Sequence, residues 1–162
     1  LLAAADNKLF FCYNNGAQTG SSEIQLRNYI YASFLLTYNL STSVLWDTFT
    51  TPSDVHVFPE TKIVATSPLV SAPSSVTSLQ KSGGLYVREY SACYLAGNSI
   101  GHCAAIVNSS SSTSYAMPSL SQSYSHTMSI SGAGSLDGGT VSATGGAPPS
   151  SVAPETGLIA IQ

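Results

Sequence analysis

Apolar and polar residues in the first third of the chain form a strand pattern, a helical pattern and a second strand pattern. The apolar run Lys8–Tyr13 ends in Asn14-Asn15-Gly16, which predicts a buried strand followed by a turn. Apolar positions then recur at helical spacing over Glu23–Tyr38, which predicts an amphipathic helix. A second short apolar run, Ser43–Asp47, predicts another strand. This order predicts a βαβ unit, in which two parallel strands are joined by a right-handed crossover.

Two parallel strands do not make a stable sheet, because parallel sheets need further strands and helices on both faces. The rest of the sequence supplies no further βα unit. We therefore expect residues 1–65 to be the C-terminal part of a larger domain that begins upstream of Leu1. Partner chains in a filament are the alternative source of the missing strands.

The remainder of the chain has a different pattern. Residues 66–83 are rich in Pro, Ser, Thr and Gly, which predicts a linker. Residues 84–162 contain short β-prone runs divided by turn residues, which predicts a small antiparallel β-sandwich. The runs are Leu85–Tyr94, His102–Asn108, Ser125–Ser131, Gly139–Ala143 and Leu158–Gln162.

The composition narrows the class of protein. Only 8% of the 162 residues are charged, against about 25% in a typical soluble domain, and Ser and Thr together exceed a quarter of the chain. Five Lys and Arg residues are too few for a basic surface that binds nucleic acid. No run of about 18 apolar residues predicts a membrane-spanning helix. A surface of Ser, Thr, Gly and Asn is typical of secreted proteins, so we expect an extracellular location.

Two of the three cysteines flank a predicted hairpin turn. Cys93 and Cys103 stand on either side of a Gly- and Asn-containing segment whose turn is expected near Asn98. Cross-strand distances of about 4.5–5.5 Å suit a disulfide, and the composition indicates an oxidising compartment. We therefore predict a Cys93–Cys103 disulfide; two buried free thiols are the alternative.

Candidate site residues lie where the two predicted parallel strands end. Asp47 follows Trp46 at the carboxyl end of the second strand, where α/β barrels place catalytic and binding groups. Trp46 could stack on a sugar ring, and Asn14 and Asn15 could hydrogen-bond a polyhydroxylated ligand. Glu60 lies in the loop after the second strand. The alternatives are that Trp46 is a core residue, that Asp47 caps the next segment, and that the asparagines only shape their turn.

Other chemistry lacks its motifs. The three histidines are scattered, so no metal site is predicted, and the glycines follow no strand-to-helix pattern that would bind a nucleotide cofactor. Glycoside hydrolysis needs two carboxyl groups about 5–9.5 Å apart, and the sequence places at most one, Asp47.

Several segments resemble a known group of proteins. Tyr86-Val87-Arg88-Glu89-Tyr90, Cys93-Tyr94-Leu95 and Leu136-Asp137-Gly138-Gly139-Thr140 resemble the C-terminal β-domain of bacterial glycoside-hydrolase-like proteins. Tyr31–Tyr38 and Phe58-Pro59-Glu60 resemble the last βα units of the barrel in the same proteins. The resemblance implies a secreted (β/α)₈ barrel followed by a β-sandwich, acting on polysaccharide, with this chain holding only the end of the barrel. The catalytic pair would then be incomplete in this chain.

Three hypotheses about function follow. The first is the C-terminal fragment of a carbohydrate-active enzyme, a glycoside hydrolase if the parent chain is complete. The second is an extracellular structural subunit, such as a fibre or adhesin. The third is a carbohydrate-binding module. Carbohydrate is the expected partner, and no cofactor is expected.

Overall fold

The structure is a computed structural model that describes residues 10–14, 21–39, 43–47, 59–70, 75–131 and 139–162. It contains one α-helix, α1, at Ser21–Thr37, and two 3₁₀ turns at Pro59–Lys62 and Val76–Leu79. The strands are β1 (Phe10–Asn14), β2 (Ser43–Asp47), β3 (Ile63–Pro68), β4 (Gln80–Ser82), β5 (Leu85–Leu95), β6 (Asn98–Ser99), β7 (Cys103–Asn108), β8 (Tyr115–Ala116), β9 (His126–Thr127), β10 (Ser129–Ser131), β11 (Thr140–Ser142), β12 (Ser151–Val152) and β13 (Thr156–Ile161).

The first two strands pair in parallel, as the strand–helix–strand pattern predicts. Their register places Phe10 opposite Ser43 and Asn14 opposite Asp47. The helix between them does not make its main contacts with this pair. It packs instead against β13, β7 and β5, which belong to a different sheet.

That second sheet is the centre of the fold, and its strands run in the order β3-β5-β7-β13-β9 with every pairing antiparallel. β4 and β6 pair with β5 outside this path. β5 and β7 form the hairpin that was expected, but its turn is Ala96–Gly97 rather than Asn98, which pairs with Leu95. Both turn residues have positive φ, 49° and 84°, as a two-residue type I′ turn requires.

Helix α1 lies on one face of this sheet and shares a hydrophobic core with it. Tyr31, Ala32 and Leu35 of the helix are buried against sheet residues such as Ala105 and Ile159. The middle of the helix approaches β13 closely because position 157 is glycine. A Cβ placed on Gly157 would lie 2.6 Å from the Cα atom of Tyr29. The sheet therefore accepts the helix backbone at this position only because a side chain is missing.

The opposite face of the sheet has its own small core. Leu85, Val87, Ile106 and Ala160 project to this side, where partly buried Met117 and other residues of the segment after β7 cover them. The β8–β12 pair contributes Val152 to the same cluster. The alternation of side chains along β5 and β7 therefore divides their apolar residues between two cores.

The expected barrel end is wrong. Within the described residues there is one helix, the eleven strands from β3 to β13 are in antiparallel sheets, and no sheet closes into a barrel. The expected β-sandwich is corrected as well, because the helix, not a second sheet, covers one face of the main sheet. The buried residues of α1 are covered by the antiparallel sheet of its own chain.

The segment between residues 66 and 83 contains regular structure. β3 extends to Pro68 and pairs with β5, and the 3₁₀ turn Val76–Leu79 leads directly into β4, which also pairs with β5. Ser75 caps that turn by accepting a hydrogen bond from the backbone N–H of Thr77. The helices of the described ranges include none of the length and apolar character needed to cross a membrane.

Candidate functional site

Two neighbouring cavities lie between the C-terminal half of α1 and the edge strand β3. The first has a volume of about 230 Å³ and is lined by Tyr38, Asn39, Thr66, Ser67, Arg88 and Tyr90. The second, of about 210 Å³, is lined among others by Tyr31, Phe34 and Tyr38. Because Tyr38 and Ala65 border both cavities, we call them together the helix–β3 groove.

The helix presents three aromatic rings to this groove, at spacings of three and four residues. The rings of Tyr31 and Phe34 are stacked with their centroids 6.1 Å apart, and the rings of Phe34 and Tyr38 are tilted at 5.2 Å. Such spacings place side chains on one helix face. The Tyr31 hydroxyl donates to the backbone carbonyl of Ile63, which fixes the helix to β3. Burial raises the pKa of Tyr31 and of Tyr38, so both are neutral phenols.

Arg88 contributes a buried cation to the first cavity. Its position on β5 directs it to the helix face, and only 2% of its surface is exposed. Its Nη1 donates to the carbonyl oxygens of Tyr38 at 2.8 Å and Leu36 at 3.3 Å. These carbonyls belong to the end of α1, which has no basic residue of its own in the last turn. Arg88 therefore supplies the positive charge that stabilises a helix C-terminus.

The guanidinium of Arg88 is not fully satisfied by these bonds. Its Nε atom is buried and has no hydrogen-bond partner within the described part of the chain. Its central carbon lies 5.2 Å from the centre of the Tyr90 ring, a cation–π distance. Burial lowers the pKa of Arg88 from its ordinary value, and the nearby Tyr90 partly offsets this effect. Tyr90 itself is anchored, since its hydroxyl donates to the carbonyl of Leu35.

The outer wall of the cavity contains a backbone conformation that is uncommon for a residue other than glycine. Ser67 has a φ of 53° and interrupts the extended conformation of β3 just before Pro68. Left-handed residues of this kind cost of order 1–3 kcal/mol and cluster at ligand-binding sites. The Ser91 hydroxyl donates to the carbonyl of Ser67 at 3.1 Å and stabilises this conformation.

Three of the predicted site residues lie at the ends of β1 and β2. Asn14 and Asp47 are register partners, and Tyr13 pairs with Trp46, so the structure brings the ends of the two strands together as predicted. Asn15 lies outside the described residues. A role of these residues in binding or catalysis stays a prediction.

Glu60 is placed in a buried ion pair. Its Oε1 accepts from Arg27 Nε at 2.9 Å and its Oε2 accepts from Arg27 Nη2 at 2.6 Å, with both side chains about 95% buried. This bidentate pair joins α1 to the 3₁₀ turn before β3. Both carboxylate oxygens of Glu60 are therefore engaged in holding the helix.

Arg88 and Glu89 are neighbours in β5, so they project to opposite faces of the sheet. The Glu89 carboxylate accepts hydrogen bonds from the backbone N–H and the hydroxyl of Ser121 and from the Tyr124 hydroxyl, at 2.8–3.1 Å. Partial burial acts to raise the pKa of Glu89, but these hydrogen bonds outweigh it and lower the pKa. Glu89 thus fixes the segment that covers the second core, and it lies away from the helix–β3 groove.

The predicted disulfide between Cys93 and Cys103 is confirmed. The two Cα atoms are 6.0 Å apart and both residues are fully buried. They are not direct ladder partners, because Cys103 pairs with Tyr90 while the backbone of Cys93 bonds to Ile100 and Gly101. The bridge therefore closes the β5–β7 hairpin diagonally, inside the core beneath the helix.

Sequence reasoning missed the two residues that give the groove its character. A charged residue in a strand is usually exposed, so the sequence alone does not indicate that Arg88 lies beneath a helix. The helical pattern predicts only that Tyr38 is the last residue of the helix. The usable signal was the polarity of position 88 between Tyr86 and Tyr90, which share its strand face and are partly or fully buried.

Comparisons with known proteins identify no relative. The chain matches no protein-family model, no curated protein and no solved structure. The resemblance to glycoside-hydrolase-like proteins is therefore unsupported, and the single helix and antiparallel sheets of the described residues contradict a barrel end.

Proposed function

We propose that this chain is an extracellular carbohydrate-binding module and that the helix–β3 groove is its binding site. The observation that carries the proposal is the composition of the groove. Aromatic faces from α1 lie beside hydroxyl, amide and guanidinium groups from β3, β5 and the end of the helix. Sugars present both apolar C–H faces and hydroxyl groups, so a site with aromatic and polar lining matches both.

The disulfide and the composition support a location outside the cell. Structural disulfides form and persist in oxidising compartments, and the Cys93–Cys103 bridge is fully buried. A surface with few charges and many hydroxyl groups fits the same location.

Binding without hydrolysis is the better fit to the groove. No carboxylate side chain of the described residues lines either cavity. Glu60 is held by Arg27, and Glu89 lies on the other face of the sheet. A glycosidase of the usual kind needs two carboxyl groups that flank the scissile bond.

The proposal is tested by binding of the full chain to a panel of soluble and insoluble polysaccharides. Tyr38→Ala is expected to weaken binding at least about tenfold, which corresponds to about 1.4 kcal/mol. Tyr94→Ala is the matched control, because Tyr94 is a partly exposed tyrosine that lines neither cavity. Saturable binding that Tyr38→Ala removes and Tyr94→Ala leaves intact supports the proposal. Absence of binding to every polymer, or equal effects of the two variants, contradicts it.

A further inference from the structure

We infer that the helix–β3 groove recognises a carboxylate-bearing sugar, a uronic acid residue, through the guanidinium of Arg88. This inference rests on the proposed carbohydrate-binding function and names the class of saccharide that the site would select. It is carried by three observations: the burial of Arg88, the partners that its guanidinium has and lacks, and the cavity that it lines.

The first observation is a buried charge without an opposite charge. Only 2% of the surface of Arg88 is exposed, yet no carboxylate in the described ranges bonds to it. Glu89, its neighbour in sequence, projects to the other face of the sheet and is bound by Ser121 and Tyr124. Buried cations are normally paired, because the desolvation of an unpaired charge is unfavourable. The two carbonyl groups bound by Nη1 and the Tyr90 ring beside the guanidinium are neutral, so none of these neighbours balances the charge of Arg88.

The second observation is a comparison within the chain. Arg27, the other buried arginine, uses Nε and Nη2 to bind both oxygens of the Glu60 carboxylate. This is the bidentate geometry in which a planar guanidinium binds a carboxylate most strongly. In Arg88, Nη1 is occupied by the helix carbonyls while Nε has no acceptor. The Nη1 group therefore fixes the orientation of the Arg88 guanidinium. Its Nε lacks the carboxylate that binds the Nε of Arg27.

The third observation is space beside this arginine. The cavity that Arg88 lines measures about 230 Å³, below the range of about 300–1,000 Å³ of pockets for drug-sized ligands, which suits a single sugar residue. Thr66 and Ser67 on one wall provide hydroxyl groups, and Tyr38 provides an aromatic ring on the other. A sugar carboxylate would supply the acidic partner that Arg88 does not find among the described residues, while the ring and hydroxyls of the sugar meet the walls.

The net negative charge of the protein means that binding of a polyanion requires a local site. The chain carries a net charge of −3 and only five basic residues, so a polyanion is repelled by the protein as a whole. Binding to an acidic polysaccharide would therefore report a local site and not general attraction to a basic surface.

The test changes the ligand and leaves the protein intact. Affinity of the full chain is measured by calorimetry for polygalacturonate, for the same polymer with its carboxyl groups fully methyl-esterified, and for the carboxyl-reduced polymer. The ionic strength is kept at about 0.15 M, where exposed charges are screened beyond about 8 Å. Binding to polygalacturonate at least about tenfold tighter than to either neutral form supports the inference. Equal affinity for the three polymers overturns it and leaves the carbohydrate-binding proposal standing. Lack of binding to these polymers and to all others overturns both.

A protein-side test uses a charge-matched pair of variants. Arg88→Gln keeps a polar side chain but removes the cation together with the Nη1 hydrogen bonds to the helix carbonyls, and Lys81→Gln removes an exposed cation of β4. Arg88→Gln is expected to abolish the preference for polygalacturonate over its methyl ester, whereas Lys81→Gln is expected to retain it. Circular dichroism checks that both variants are folded. If Arg88→Gln does not fold, the ligand series on the unchanged protein decides the question. A preference that persists in folded Arg88→Gln overturns the role of Arg88.

Discussion

The close approach of α1 to β13 leads to a prediction about Gly157. In the variant Gly157→Ala, the new methyl group would lie 2.6 Å from the Cα of Tyr29, 2.7 Å from the carbonyl oxygen of Asn28 and 3.0 Å from the Cβ of Ala32. Two of these three atoms belong to the helix backbone, so no side-chain rotation can relieve the overlap. The helix must move outward by about 1 Å to restore ordinary van der Waals contact.

The cost follows from the core beneath the helix. A gap of about 0.5–1 Å loses a quarter to a half of the dispersion energy of a contact. Tyr31, Phe34 and Leu35 are buried under the helix, and each such side chain contributes about 1.5–3 kcal/mol by burial. A partial loss over these residues amounts to about 2–4 kcal/mol, at or slightly above the usual range for overpacking.

Urea unfolding followed by circular dichroism measures this effect. With an m-value of about 2 kcal/mol/M, a loss of about 3 kcal/mol lowers the midpoint by about 1.5 M. Gly146→Ala is the matched control, because a Cβ at Gly146 meets nothing within 4 Å, and we expect it to change stability by less than about 0.5 kcal/mol. If Gly157→Ala unfolds at the same midpoint as Gly146→Ala, the helix does not pack on β13 as described.

Three further predictions concern the disulfide, Glu89 and the buried ion pair. Replacement of both Cys93 and Cys103 by alanine should destabilise the protein by about 2–3 kcal/mol, from the entropy of a loop with sequence separation 10, and a thermal midpoint unchanged under reducing conditions would contradict this. Because the pKa of Glu89 is lowered in the folded protein, its contribution is complete above the ordinary pKa of about 4.3 and is lost as the pH falls through the folded-state pKa. The stability difference between wild type and Glu89→Gln should therefore shrink between pH 7 and pH 3, and a constant difference would refute the hydrogen-bonded arrangement. Glu60→Gln should cost about 3–5 kcal/mol, since it leaves the buried Arg27 without its carboxylate, whereas the double replacement Arg27→Met with Glu60→Leu should cost less; the opposite order in urea midpoints would argue against a buried pair.

Most elements could be predicted from the sequence because their local signals are strong. β2 has its predicted bounds, and β5 and β7 each begin or end within one residue of the predicted position. α1 begins two residues earlier and ends one residue earlier than predicted. These signals are local: alternating apolar positions, turn glycines and paired cysteines each involve only a few neighbouring residues. The elements that they define can therefore be recognised in the sequence.

The partner of the helix could not be predicted in the same way. An apolar stripe on α1 shows that one face is buried but not which sheet buries it. The deciding residues are small: Gly157 and Ala105 allow the helix to approach the antiparallel sheet, and neither stands out in the sequence. The prediction of a barrel end assumes that the helix covers the β1–β2 pair, because these are the strands nearest to it along the chain.

The helix–β3 groove could not be predicted from the sequence for a related reason. Pro68 and the polar residues around it predict an irregular connection rather than a strand. In the structure this segment is β3, which forms the edge of the main sheet and contains the left-handed Ser67. From the sequence alone Arg88 is expected to be a surface charge, because its burial depends on the helix that covers it. Both walls of the groove therefore depend on contacts between residues that are distant in sequence.

The position of β13 has a consequence for how the protein is made. β13 lies between β7 and β9 and beneath α1, although about 50 residues separate it from β7 along the chain. A ribosome that adds about 5–20 residues per second needs about 3–10 s to synthesise that interval. Throughout this time β7 has an unpaired edge, and the apolar face of the helix has no β13 to rest on. Until residue 161 is available, the β7 edge and the apolar residues of the helix are therefore open to association with other chains.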